Sequence, residues 1–134
     1  MGFSSIQGVA QSQSIHASRN REWPEEDKKK VVLHVAKYVG NNIFRKAIVR
    51  KLQKTLDSYR TYRSIEQKLC IVKSAWKSNP DLQREIVDLL NVPKTDPTYD
   101  QAQENLDIAI RRTWELAFAN ESEYLKNWKK TAFH

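Results

Sequence analysis

Apolar residues in this chain recur at intervals of three and four, and the rhythm resets at a few polar or proline-containing breaks. After "WPEEDKKK", Val31, Val35, Tyr38 and Val39 fall on one side of a 3.6-residue helix. Pro24 suits a first helical position, and Glu25, Glu26 and Asp27 suit the positive end of a helix dipole. The "GNN" at 40–42 ends that helix. The next segment, "IFRKAIVRKLQKTLDSYRTYR" at 43–63, carries a broad stripe of Phe44, Ile48, Leu52, Thr55, Leu56, Tyr59 and Tyr62. That stripe predicts a helix with Tyr59 and Tyr62 on its core side.

Ser64 and Gln67 have the spacing of a capping box, which predicts a new helix with Ile65, Leu69, Val72 and Trp76 inward. Asn79-Pro80 closes that helix and opens another, with Asn79 as N-cap and Leu82, Ile86, Leu89 and Leu90 inward. "NVPKTDPT" at 91–98 is the clearest loop. Thr98 and Gln101 offer a further capping box, followed by a stripe of Ala102, Leu106, Ala109, Ile110, Thr113 and Ala117. Asn120 and Glu123 restart a short last helix that ends in Lys126, Lys129 and Lys130. The pattern therefore predicts an all-α fold: a single compact bundle of five or six helices over 23–134, preceded by a flexible polar tail over 1–22. Trp76 and Trp114 are its largest candidate core residues.

Composition supports this. A chain of 134 residues buries well over half of its extended surface without covalent staples. Three Gly and four Pro supply few tight turns, which disfavours a many-stranded β fold. The lone Cys70 excludes an intrachain disulfide and fits intracellular residence. No apolar run reaches membrane-spanning length, and the start lacks the apolar centre of a secretory signal. Met1-Gly2 matches the myristoylation pattern only in part, because position 6 is Ile6 rather than Ser or Thr. The first 21 residues have no acid, several Ser, and Arg19 and Arg21, a composition shared by organellar transit peptides and by plain flexible tails.

Charge changes the picture most. The net charge is +7, yet residues 1–79 hold 16 basic and 6 acidic residues, whereas 80–134 hold 7 and 10. The segment 43–63 alone contributes Arg45, Lys46, Arg50, Lys51, Lys54, Arg60 and Arg63 against Asp57. Lys46, Arg50 and Lys54 stack four apart, opposite the apolar stripe, while Lys51 lies near the stripe and extends its ammonium outward. These seven cations form a candidate surface for an anionic partner. Tyr124, Trp128 and Phe133 either pack back on the bundle or anchor a partner.

Catalytic chemistry finds little support. His16, His34 and His134 are far apart in sequence, and no H-x-x-x-H, C-x-x-C or H-E-x-x-H spacing occurs. No glycine-rich phosphate loop is present. Cys70 lies outside the main stripe of its helix and reads as a packed thiol rather than a nucleophile. The expectation is a non-enzymatic protein without metal or cofactor: an adaptor or accessory subunit whose basic helix meets an acidic protein. Two other readings use the same face. One is non-specific nucleic-acid binding through phosphates. The other is a membrane-associated matrix or coat protein on anionic lipid. A helix-turn-helix across 64–91 is disfavoured because its second helix, "DLQREIVDLL", is net acidic.

Overall fold

The computed structural model describes residues 23–132, with side chains through 126. The expectations for the tail, for Gly2 and for Phe133 fall outside the described residues, as does the side chain of Trp128. Among the described residues six helices follow one another: α1 Glu25–Tyr38, α2 Lys46–Thr55, α3 Tyr62–Ser78, α4 Pro80–Leu90, α5 Tyr99–Ala119 and α6 Glu121–Ala132. No strand occurs among the described residues. No described helix is both long and apolar enough to cross a membrane.

Helix α3 is the axis of the bundle and touches all five other helices. It is accordingly buried on more sides than one stripe. Besides Ile65, Leu69, Val72 and Trp76, it buries Lys68, Cys70, Ile71 and Ala75. A helix apolar over most of its circumference is one that the rest of the fold surrounds. Four of the other helices each add a narrower stripe: Val31, Val32 and Val35 from α1; Ile48, Val49 and Leu52 from α2; Leu82 and Ile86 from α4; Ala102, Leu106, Ala109, Ile110, Trp114 and Ala117 from α5. Full burial of each branched aliphatic is worth about 1.5–3 kcal/mol. Trp23 joins this core, 5.8 Å centroid to centroid from Trp114, which in turn lies 4.5 Å from Phe118. The buried Lys68 ammonium sits 5.8 Å from the Trp23 ring and 5.7 Å from the Phe118 ring, so aromatic faces supply part of its environment.

The segment 43–63 is not one helix. Helix α2 ends at Thr55, Leu56 turns extended, and Tyr62 already belongs to α3. The cause lies on α1. In a continued helix the amides of Asp57 and Ser58 would bond to carbonyls four residues earlier. Instead both donate to the buried Asp27 carboxylate, at 2.8 and 3.1 Å. The Lys30 ammonium donates to the freed Thr55 carbonyl at 2.8 Å and pairs with Asp57 at 3.0 Å. Asp27 is thus a buried clamp as well as a residue of a helix's first turn. The reversal of the chain that follows turns Tyr59 out, 83% exposed, which overturns its expected core position. Tyr62 is half-buried against the core.

The helix caps also differ from the expected ones. Helix α3 starts three residues before the predicted box: Thr61 accepts from the Ser64 amide at 3.1 Å, so Ser64 is the capped donor and not the cap. Asn79 and Asn120 serve the helices behind them. Each side-chain amide donates to the carbonyl four residues back, Ala75 at 2.8 Å and Leu116 at 3.0 Å. The side chain of Thr98 bonds Asp96 at 2.6 Å and leaves no capping box with Gln101. Pro80 occupies the first turn of α4 as expected.

Candidate anion-docking site

Helix α2 lies against α1 and α3 through Ile48, Val49 and Leu52, which turns Lys46, Ala47, Arg50, Lys51 and Lys54 to solvent. One turn advances the chain by about 5.4 Å, so Lys46, Arg50 and Lys54 form a ridge with steps of about 6 Å. Arg45 is exposed just before the helix. The start of α2 has no acidic residue in its first turn and no side-chain cap. Among the described residues none of Arg45, Lys46, Arg50, Lys51 and Lys54 makes an ion pair, whereas Lys28, Lys29, Lys30, Arg84 and Arg111 all do. Lys37, Lys73, Lys77, Lys94, Arg112 and Lys126 form none of these pairs either, so what distinguishes this face is that five such cations lie together on and just before one short helix.

Beside the ridge runs a shallow groove of about 550 Å³, lined by Tyr38, Ala47, Ile48, Arg50, Lys51 and Lys54. Its exposed lining is mostly apolar and contains no carboxylate. Tyr38, the last residue of α1, stands where Lys37 and Lys51 converge, their ammonium groups 5.4 and 5.9 Å from its ring centre. A hydrogen bond from Lys51, with added charge from both lysines, holds the Tyr38 phenol below its ordinary pKa. The ring also packs on His34 at 4.6 Å. His34 Nε2 donates to the Ile48 carbonyl at 2.9 Å, tying α1 to the α2 face from behind. Burial lowers the His34 pKa, so the neutral ring is the form that fits.

The seven expected site residues divide by position. Arg45, Lys46, Arg50, Lys51 and Lys54 share the α2 face. Arg50 leans toward α3, with its guanidinium 5.5 Å from the Tyr62 ring. Arg63 is exposed on the first turn of α3. Arg60 is half-buried, its guanidinium 4.6 Å over Trp23 and its carbonyl accepting from Gln53, so it serves the core edge rather than the ridge. Tyr124 is half-buried against the core. Lys37, Tyr38 and Ala47 were not expected at the site. The charge of Lys37 was visible in the sequence, but its proximity to α2 depends on the turn at 39–45.

Two other places invite chemistry. A cleft of about 130 Å³ is lined by Glu25, Glu26, Lys28, Lys29, Asp107, Ile110 and Arg111, and all of its charges except Glu26 are engaged in ion pairs with one another. The Cys70 thiol is buried, 3.5 Å from the Tyr124 carbonyl, and desolvation pushes its pKa up to about 11. A thiol so protonated is a poor nucleophile. Among the described residues no three His, Cys, Asp or Glu side chains gather at ligand spacing. No family model, curated protein or solved structure matches the chain.

Proposed function

We propose that this protein is a non-enzymatic docking module, an adaptor or accessory subunit, that presents the basic face of α2 to an acidic protein surface. The observation that carries this reading is the row of Arg45, Lys46, Arg50, Lys51 and Lys54, exposed and without a carboxylate partner among the described residues. Such a row raises the local potential and speeds encounter with an anionic partner. The reading is tested by binding of labelled polyglutamate to the wild type and to the Lys46→Glu/Arg50→Glu/Lys54→Glu variant. Binding that weakens with salt and disappears in the variant, with an unchanged melting curve, supports it. Undiminished binding in the variant sinks it.

One observation favours a second reading, non-specific nucleic-acid binding. Tyr59 is 83% exposed in the turn that leaves α2, where a base can stack on its ring while the ridge meets phosphates. Anisotropy with labelled RNA and DNA at low and near-physiological salt tests this. Tight, steeply salt-dependent binding that Tyr59→Ala weakens would put the nucleic acid ahead of the acidic protein.

A further inference from the structure

The ridge alone attracts any polyanion, but the groove beside it adds a constraint on shape. Its floor is Ala47, Ile48 and the ring of Tyr38, and its rim is Arg50, Lys51 and Lys54. A phosphate backbone has no use for an apolar floor. Stacking of a base there is opposed by the crowding of Tyr38, which already carries His34 and two ammonium groups. An extended peptide fits poorly as well. The backbone of α2 bonds internally, so a strand laid on this floor would face apolar surface with unpaired amides and carbonyls. A helix satisfies its own backbone. It also places side chains four residues apart at the spacing of Lys46, Arg50 and Lys54. Ala47, exposed in the middle of the face, lets a second helix axis come within the usual 8–10 Å.

We infer that the partner element is an acidic amphipathic helix. It lies along α2 with carboxylates at four-residue intervals against Lys46, Arg50 and Lys54, and with small or aliphatic side chains over Ala47, Ile48 and Tyr38. This inference rests on the acidic-partner reading and narrows it from a charge to a shape.

The test uses two labelled peptides of about 15 residues, long enough to form several helical turns. Both have the same composition. One has Glu in a four-residue repeat beside an apolar stripe, and the other has the order shuffled so that no face forms. The in-phase peptide is expected to bind about tenfold tighter and to gain helical circular dichroism on binding. Ala47→Arg is the informative variant, because it adds a positive charge and obstructs the floor while keeping a good helix former. Groove docking requires Ala47→Arg to weaken the in-phase peptide. Simple charge attraction requires the opposite.

Equal affinity for the two peptides, or tighter binding by Ala47→Arg, would overturn the amphipathic-helix inference and leave the acidic-partner reading standing. Absence of binding by both peptides and by polyglutamate would remove both.

Discussion

The carboxylate of Asp27 accepts the backbone amide of Asp57 at 2.8 Å across 30 residues of chain, from a position with no solvent exposure. The neighbouring Ser58 amide takes the other oxygen at 3.1 Å. This pair decides where the basic helix ends and hence how long a ridge it can present. Asp27→Asn offers one of the two amides an NH₂ group in place of an acceptor. The loss is expected to be about 2 kcal/mol, the usual cost of leaving a buried donor unsatisfied. Asp57→Ala makes the contrast, because its contribution to the clamp is its main-chain amide. Its side chain is 64% exposed and pairs only with Lys30, so the cost is expected to stay below about 1 kcal/mol. Urea midpoints at constant slope measure both. A larger loss for Asp57→Ala than for Asp27→Asn would refute this account of the turn.

His34 should make stability depend on pH in a defined direction. Its pKa in the folded protein lies below the ordinary 6.5, first because the ring is buried and then because Lys37 and Lys51 are near. The unfolded chain therefore binds a proton that the folded chain resists. The contribution is complete above 6.5 and is lost as the pH falls through the lowered folded value. His34→Gln keeps a donor for the Ile48 carbonyl and does not titrate. Between about pH 7.5 and about pH 5 the wild type is expected to lose melting temperature faster than His34→Gln. Parallel curves for the two proteins would show that His34 is not the titrating group.

The start of α3 separates pattern from placement. The S-x-x-Q spacing at Ser64 is a real helix-start signal, yet the hydroxyl that accepts belongs to Thr61. Thr61→Ala is expected to cost about 1 kcal/mol, as for an ordinary N-cap. Ser64→Ala, which keeps the donating amide, should stay within about 0.5 kcal/mol. The reverse order would restore Ser64 as the cap.

Most positions of the five stripes, the Pro80 start and the burial of Trp76 and Trp114 were legible because a 3.6-residue period records which side of a helix meets the core, although Leu90, expected inward, is 44% exposed. What was not legible depends on contacts between segments. Nothing near Asp57 in sequence announces that Asp27 will take its amide, so the apolar period continues through Tyr59 in the sequence while the helix stops at Thr55. Asn79 and Asn120 sit between two helices, and composition alone does not say which of the two an asparagine serves. The ridge of Lys46, Arg50 and Lys54 was legible as a period. The groove was not, because Tyr38 reaches it from another helix.

Cys70 shows the same limit on a residue whose chemistry can be followed. One stripe left it outside the core, but α6 covers that side of α3, and the thiol lies 3.5 Å from the Tyr124 carbonyl. With its pKa raised to about 11, the thiolate is a minute fraction at neutral pH, and the sulfur is also shielded from reagents. Reaction with a disulfide reagent near pH 8 is expected to be at least about a hundredfold slower in the native protein than in urea. The route to exposure is movement of α6, whose Leu125 packs on the core. Leu125→Ala should therefore speed native-state labelling more than it lowers the urea midpoint would imply for global unfolding, because local opening suffices. Labelling that instead tracks global stability across variants would mean that α6 opens only with the whole bundle. A native rate equal to that in urea would mean that α6 does not shield the thiol.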